Sequence, residues 1–575
     1  METHLNQDTS GIDAELQSKL LHDDHHVQKG GLRTMPFIIV NEAFESIASQ
    51  GLSMNMIFYL MEVYHMEAAT GTSVLYVWSA LSNGLSIFGG FISDSYLGRF
   101  RVIAIGSLFS LVGVTFLWLT SIVPHLTPSS CQEPGTGCSP PTRAQFGFLY
   151  ASFGIMSIGS ACIRPCSIAF GADQLKHHKN QRLIDSYFNW YYASATISTA
   201  IASTIVVYIQ DRFGWRVGFA VPVLAMFCSV LMFLLGSPLY VKVKVDKSPF
   251  SGLVQVLIVA FRNRKIHLLP DDCYNHSNDI DQVELTDSLR FLNKACVVRG
   301  VDIGSSGSNP CGITTVENVE SLKSLIRIIP IWSSGILLFV NVLQKFPTLE
   351  AEKMNRKITS RFEIPAASFN LFMLLTITIW IPFYDRVMVP FLAKFTHEPR
   401  GLNLKTRMGV GIILSIITMV VSAIVETIRR DLANSNTTVV MSAMWLVPQF
   451  VLLGLTEAFN AIGQLEFYYS ELPNSMSSLA MVMFMVSMAV ASLVASLLTN
   501  IVDSVTGQGG GVSWLSSDID EGHVDYYYWL LSFLTLLNFV YYLICSRVHH
   551  NFSSSESRLS HAVDKERFDG IEGKP

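Results

Sequence analysis

Glu42 and Glu45 lie three residues apart inside the first long apolar stretch of the chain, 35–61. A charged side chain at the centre of a bilayer costs about 2.5–3.5 kcal/mol on insertion scales, so it persists there only with a partner or a water-filled cavity. The i, i+3 spacing puts both carboxylates on one helical face. That arrangement suits a relay for protons or solute; the plainer alternative is two acids that bond polar groups of neighbouring helices. Further along, Arg164 precedes Pro165, and Glu457 sits in Gly454-Leu-Thr-Glu-Ala458, each within another apolar run. One cation and three acids at mid-depth require mutual neutralisation. An Arg164–Glu457 pair made in one state and broken by protonation or anion binding in another would couple movement to pH. Glu466 falls nearer the end of its run and reads as a structural or gating acid.

The elements that must position these groups are helices. The chain has 575 residues, 50% hydrophobic and 15% charged, with mean hydropathy +0.38. Soluble domains carry about 25% charged residues, so this is an all-α membrane protein. Runs long enough to cross a hydrocarbon core of about 30 Å fall near 35–61, 72–93, 102–123, 146–170, 190–210 and 216–240, then near 324–344, 364–384, 408–428, 441–463, 475–502 and 525–546. The expected organisation is a tail, 1–33, a six-helix bundle, 34–240, a polar linker, 241–323, a second bundle, 324–547, and a tail, 548–575. Within the linker, 251–264 has apolar Leu253, Val254, Val256, Leu257 and Phe261 at helical spacing, as a helix on a membrane surface or under the bundle would. The remainder of the linker reads as a tether.

Lys and Arg in the short loops set the orientation. Arg99 and Arg101, Lys176, Lys179 and Arg182, and Arg386, Lys394, Arg400, Lys405 and Arg407 place both termini in the cytoplasm, with Lys353, Arg356, Lys357, Arg429 and Arg430 as exceptions. The polar first 33 residues, with a His-rich segment at 22–26, carry no hydrophobic signal core, so the first span is expected to direct insertion. Nine cysteines show no metal-ligand spacing; Cys131 and Cys138 share an outward loop, as a disulfide or as two thiols. Asn436 heads the outward glycosylation sequon, whereas the Asn275 and Asn551 sequons fall inside. The net charge of −5 without a basic cluster excludes nucleic acid as a partner. Neither His-Glu-x-x-His nor Gly-x-Ser-x-Gly occurs, and no cofactor or metal is implied, so the chain is not read as an enzyme. Pro36, Pro165, Pro330 and Pro382 are expected to kink helices, and Trp190, Trp332 and Trp445 to face lipid or its interface.

An internal repeat supports the two bundles. Gly89-Gly-Phe-Ile-Ser-Asp-Ser-Tyr-Leu-Gly-Arg-Phe-Arg101 joins the second and third runs, and Asp94, Arg99 and Arg101 can latch one conformation and release another. Tyr384-Asp385-Arg386 echoes the pairing between the eighth and ninth runs. With Lys29-Gly-Gly-Leu-Arg-Thr-Met-Pro-Phe-Ile-Ile39, Ile163-Arg-Pro-Cys-Ser-Ile-Ala-Phe-Gly-Ala-Asp-Gln174, Phe188-Asn-Trp-Tyr-Tyr192, Tyr384-Asp-Arg-Val-Met-Val-Pro390 and Gly463-Gln-Leu-Glu-Phe467, the chain resembles the plant nitrate and peptide transporter family. This is the proton-dependent oligopeptide transporter group of the major facilitator superfamily, and the likeness is strongest to its first subfamily.

The resemblance implies twelve transmembrane helices working by alternating access, and it assigns roles. Glu-x-x-Glu followed by a cation, associated with proton coupling in the family, stands here as Glu42-Ala-Phe-Glu45 with Ser46 in place of the cation. Without that cation an acid here either loads and releases a proton or stays protonated throughout. Arg164 matches the family's cavity lysine, and Glu457 matches the acid that faces it. Arginine stays charged, so it can bind an anion through a fork of donors but cannot carry a proton. The histidine that helps bind nitrate in some relatives is replaced by about Val342, which leaves Asn341, Tyr191 and Tyr192 as neutral donors. The implied function is low-affinity, proton-coupled nitrate symport at the plasma membrane. Carriage of peptides, glucosinolates or hormones (gibberellin, abscisic acid, auxin), with or without protons, is the alternative, as is a nitrate sensor with little flux. The long linker and a Ser-rich tail, 553–560, would give a sensor sites for phosphorylation or docking.

Overall fold

The computed structural model describes residues 30–128, 140–175, 181–242, 249–265, 273–275, 285–286, 288–298, 314–360, 362–396, 401–435, 440–472, 477–508 and 511–572. Lys29, the 22–26 segment, Cys131, Cys138, Lys176, Lys179, Arg400 and the Asn436 sequon lie outside these residues. So do most of the Asn275 sequon and the side chains of Arg182, Asn551 and 553–560.

The helices of the first half are α1 (Met35–Glu62), α2 (Ala68–Leu97), α3 (Arg99–Ile122), α4 (Arg143–Leu175), α5 (Gln181–Ile201) and α6 (Val207–Leu235). A π-helical turn, Ala202–Val206, joins α5 to α6, and the break between successive spans falls later, at Gly214, with φ 76° and ψ 173°. Only glycine adopts that conformation readily. The linker helix α7 (Pro249–Arg262) follows. The second half comprises α8 (Val316–Ser334), α9 (Ile336–Val342), α10 (Phe346–Lys353), α11 (Ala366–Thr396), α12 (Leu404–Asn434), α13 (Val447–Glu471), α14 (Ser477–Thr506) and α15 (Val524–Glu572). Two short antiparallel strand pairs occur, Cys273–Tyr274 with Val297–Val298 in the linker and Lys357–Thr359 with Phe362–Glu363 in the second half.

Among the described residues nine helical segments are long and apolar enough to cross a membrane, one of them the 50-residue Ser186–Leu235 that runs through α5 and α6, and a tenth arises if α8 and α9–α10, bent by 41°, count as one. The helix α1, which holds the acids Glu42, Glu45 and Glu62, is not among them, although its 28 residues reach about 42 Å.

Local chemistry explains the helix that carries Arg164. Thr142 and Gln145 form a reciprocal cap at the start of α4: the Thr142 N–H donates to Gln145 Oε1 at 2.9 Å and the Gln145 N–H donates to Thr142 Oγ1 at 3.3 Å. Pro165 lies inside α4 and removes the N–H that would bond the carbonyl of Ala161. Gly89 of α2 packs onto that carbonyl, where a Cβ would overlap the Ala161 oxygen. Gly106 of α3 approaches Gly159 in the same way, with a Cβ position 2.9 Å from its oxygen. Small residues let backbones meet where lipid offers no hydrophobic drive. Gly89→Val should therefore prevent α2 from seating on α4 and deplete the protein from the cell surface; surface labelling at wild-type levels would contradict this.

Pro36 departs from its expected role. It occupies the first turn of α1, where a missing N–H costs nothing, and so opens the helix instead of bending it. Trp332 also departs: its Nε1–H donates to Met483 O at 3.0 Å and pins α8 to α14, whereas Trp190 and Trp445 are exposed as expected. In α7, Leu253 and Val256 are buried, but Val254, Leu257 and Phe261 are exposed, so the expected single apolar face is split.

The repeat is visible in the backbone. Π-helical turns at Ser93–Leu97, which closes α2, and at Tyr384–Met388, within α11, stand in the two halves, and each carries its acid, Asp94 or Asp385, as its second residue. The halves meet chiefly through α2 and α14. The hydrogen bonds described between them all lie toward the end of the bundle where α1 reaches Glu62. There Ser73 Oγ is 2.5 Å from Ser496 Oγ and accepts from Asn500 Nδ2 at 2.9 Å. Ser492 donates to Ser79 at 3.0 Å, Tyr76 donates to Gln344 at 3.4 Å, and the Ala68 N–H donates to Ser517 at 3.0 Å.

At that same end three of the cations that break the loop-charge pattern, Lys353, Arg356 and Arg429, find acids. Arg429 binds buried Glu426 through two donors at 2.7 and 2.8 Å and Asp520 at 2.5 Å. Lys353 Nζ lies 3.1 Å from Asp518, and this hydrogen bond holds the Asp518 carboxyl below its ordinary range. Its contribution is present above the ordinary aspartate value and disappears as pH falls through the depressed one.

Candidate functional site

A cavity of about 140 Å³ opens inside the first half, roofed by the junction of α9 and α10 from the second. Its charged lining residues are Glu45 from α1, Arg164 from α4 and Lys345 from the α9–α10 junction. Six serines join them: Ser49, Ser53, Ser79, Ser82, Ser110 and Ser160. Ser82 is tied to Ser157 at 3.0 Å, but the hydroxyls of Ser49, Ser53 and Ser110 have no partner among the described residues and are free to bond a solute.

Glu45 and Glu42 share a helix face but not an environment. Glu45 faces the cavity at 6% exposure, within coulombic range of Arg164 and Glu42. Glu42 lies behind it and accepts a hydrogen bond from Ser167 Oγ at 3.0 Å. The hydroxyls of Tyr191 and Ser46 are also within hydrogen-bonding reach of Glu42. Ser46 thus supplies a neutral donor where the resemblance led one to expect a cation. Arg164 Nη1 donates to Asn83 Oδ1 at 3.2 Å, and Asn83 in turn donates to the carbonyl of Ser79 at 2.9 Å, which steers the guanidinium along the cavity wall.

Other expected site residues lie elsewhere. Glu457 does not pair with Arg164 in this conformation, and its Oε2 is buried without a hydrogen-bond partner. Asn341 is 0% exposed and spends its amide on Ser415 and Thr535, both at 2.8 Å, so it ties three helices together and does not line the cavity. Tyr191 is occupied by Glu42, and Tyr192 is 52% exposed, outside the cavity. Of the four expected solute contacts, Arg164 alone lines it.

The latch residues are partly re-dealt. Arg99 pairs with Asp94 at 3.4 Å and more closely with Asp173 at 2.5 Å, the acid in the Gly-Ala-Asp-Gln segment that closes α4. Arg101 is exposed and without an ion pair among the described residues, as are Asp385 and Arg386. In the second half the charge contact is instead Arg407 with Glu466 at 3.3 Å, the guanidinium lying over the Tyr384 ring. Glu466, expected as a structural or gating acid, thus has a partner 59 residues away in sequence.

Lys345 had no place in the sequence reading because the apolar run 324–344 stops one residue short of it. The helix breaks between Val342 and Phe346, and the break turns the side chain into the protein. Pro347 in the first turn of α10 was the available signal.

Residues 100–515 match the POT family (PTR2). The chain belongs to that family. It is 48% identical over 543 residues to "Protein NRT1/ PTR FAMILY 1.2" of Arabidopsis thaliana, covering 90% of this chain and 89% of that one. It is 47% identical to "Protein NRT1/ PTR FAMILY 1.1" of the same plant, over 90% and 91%. Among solved structures, the POT family transporter PepTSo superposes with a TM-score of 0.69 at 19% identity, over 90% of this chain and 99% of that one. A POT family transporter in complex with 5-aminolevulinic acid gives 0.62 at 14%, over 91% and 98%. As a POT family member the protein is a multi-pass membrane transporter with the major facilitator fold, not an enzyme.

Proposed function

We propose that this POT family member is a proton-coupled symporter of a small anion, nitrate first, at the plasma membrane. In this reading twelve helices alternate access, and both termini and the 241–323 linker are cytoplasmic. The observation that carries it is a fixed cation, Arg164, in one serine-lined cavity with a carboxylate, Glu45. A guanidinium attracts an anion whatever the pH, whereas a carboxylate beside it repels that anion until it takes a proton. Proton and anion therefore favour each other's binding at the site, and by linkage the favour is mutual.

The hydroxyl cage around Glu42 supports a supporting role for that acid: it fixes the helix face while Glu45 exchanges protons with the cavity. Glu457 would take its proton, or its pairing with Arg164, in another conformation. Asp94, Arg99 and Asp173, with Arg407 and Glu466 in the other half, are suited to latch the end of the bundle opposite Glu62.

Uptake of labelled nitrate into oocytes expressing the chain, at acid and neutral pH, tests the reading. Uptake above water-injected controls that rises at acid pH is expected. No nitrate uptake with the protein present at the surface would overturn nitrate transport, and point to a peptide, glucosinolate or hormone carrier or to a sensor.

A further inference from the structure

We infer that Lys345 is the second cation of an anion site whose first cation is Arg164, and that a small oxyanion held between them joins the two halves of the transporter. The inference deepens the proposed function and rests on its reading of the cavity as the solute site.

The two cations reach the cavity from different halves. Arg164 comes from α4, whereas Lys345 comes from the non-helical junction of α9 and α10, which projects into a cavity otherwise lined by first-half helices and the neighbouring Leu343. The junction is held there by the Tyr76–Gln344 hydrogen bond, one residue away, and by the Tyr76 hydroxyl lying within reach of the Lys345 backbone N–H.

Lys345 has no acid partner. Among the described residues no carboxylate lies within ion-pair distance, and the acid that shares its cavity, Glu45, answers electrostatically to Arg164 and Glu42. A cation taken from water without a counter-charge is costly, so the cavity is built for an ion it does not itself contain. The charges at its wall are two positive and one negative. Their sum is +1 when Glu45 is ionised and +2 when it is protonated, so the anion is held more firmly after the proton arrives.

Size narrows the ligand. Sites for drug-sized ligands run to about 300–1,000 Å³, well above the 140 Å³ here. The fit is to a small oxyanion, with the free Ser49, Ser53 and Ser110 hydroxyls completing its hydrogen bonds. Opening the Glu62 end would pull the α9–α10 junction away with its half and remove Lys345 from the anion. The bound anion therefore favours the closed state of that end.

The test uses the full-length protein and nitrate as the probe, in two measurements. Initial rates of labelled nitrate uptake against concentration, normalised to surface protein, are taken for wild type, Lys345→Met and Lys345→Arg. Loss of a charge-assisted contact is expected to raise the KM about tenfold or more in Lys345→Met, with maximal rate per surface molecule little changed and Lys345→Arg near wild type. A merely structural lysine would lower surface amount or maximal rate and leave KM alone, and that result overturns the inference. Thermal unfolding of the purified protein in nitrate, against gluconate at equal ionic strength, is the second readout. Wild type should be stabilised and Lys345→Met should not. No stabilisation of wild type, or equal stabilisation of both, overturns the inference. Stabilisation that needs Lys345, without any flux, overturns the transport reading and leaves the anion site standing.

Discussion

Replacing Arg164 with alanine is expected to abolish anion uptake while leaving part of the protein at the cell surface. The guanidinium is the fixed cation of the cavity, bonded to Asn83 and within coulombic range of Glu42 and Glu45. Hydrogen bonds to charged groups contribute about 1.5–3 kcal/mol each, so losing the anion's contact alone lowers uptake at subsaturating substrate by roughly 10–100-fold. The acids add to the loss, since without Arg164 the one cation left at the cavity wall, Lys345, no longer outweighs Glu45 unless that acid is protonated. Arg164→Lys keeps the charge but cannot reproduce a planar fork of donors, and should recover a fraction of the rate. Concentration-dependent uptake normalised to surface protein checks this. Full activity in Arg164→Ala would remove the cation from the solute site.

Glu45→Gln is expected to flatten the pH dependence of transport. The amide keeps the shape and some of the hydrogen bonding of the carboxyl, but it can neither repel the anion when deprotonated nor carry a proton across. Uptake should become similar at acid and neutral pH, and accumulation against a gradient should be lost. Glu42→Gln should behave differently, because Glu42 is held by the hydroxyls of Ser167, Tyr191 and Ser46 and does not line the cavity. Its expected effect is a lower rate with the acid stimulation retained. A pH profile unchanged in Glu45→Gln, or one lost in Glu42→Gln alone, would reverse the two roles. Ser46→Arg, which would place a cation beside both acids, is a separate probe of how far the hydroxyl cage substitutes for one.

Charges inside apolar runs were legible without coordinates because their cost is so large that they mark a cavity or a partner wherever they occur. Glu42, Glu45 and Arg164 were found in this way, and the structure gathers Glu45 and Arg164 at one cavity wall. The neutral candidates fared differently. Asn341 and Tyr192 are polar residues in apolar helices, and which way each faces depends on the helix's rotation against its neighbours, a tertiary quantity. Asn341 turned out to bind Ser415 and Thr535, and Tyr192 to face outward. The latch of the second half was misread for a related reason. Asp385 and Arg386 are adjacent in sequence, but the contact that forms joins Arg407 to Glu466 across two helices. What did survive from the echo is the backbone, with matching π-helical turns around Asp94 and Asp385. Lys345 was missed because the apolar run ends one residue before it, whereas the chain bends at that point and carries the charge inward.

The measurement that bears most directly on the central claim is simultaneous recording of membrane current and labelled nitrate uptake in oocytes, at acid and neutral pH. Nitrate entering alone carries outward current; one proton with each anion cancels it, and more than one reverses it. The cavity described here predicts uptake that rises on acidification without outward current. Uptake indifferent to pH and accompanied by outward current would show an uncoupled anion pathway, and would contradict the role given to Glu45 beside Arg164.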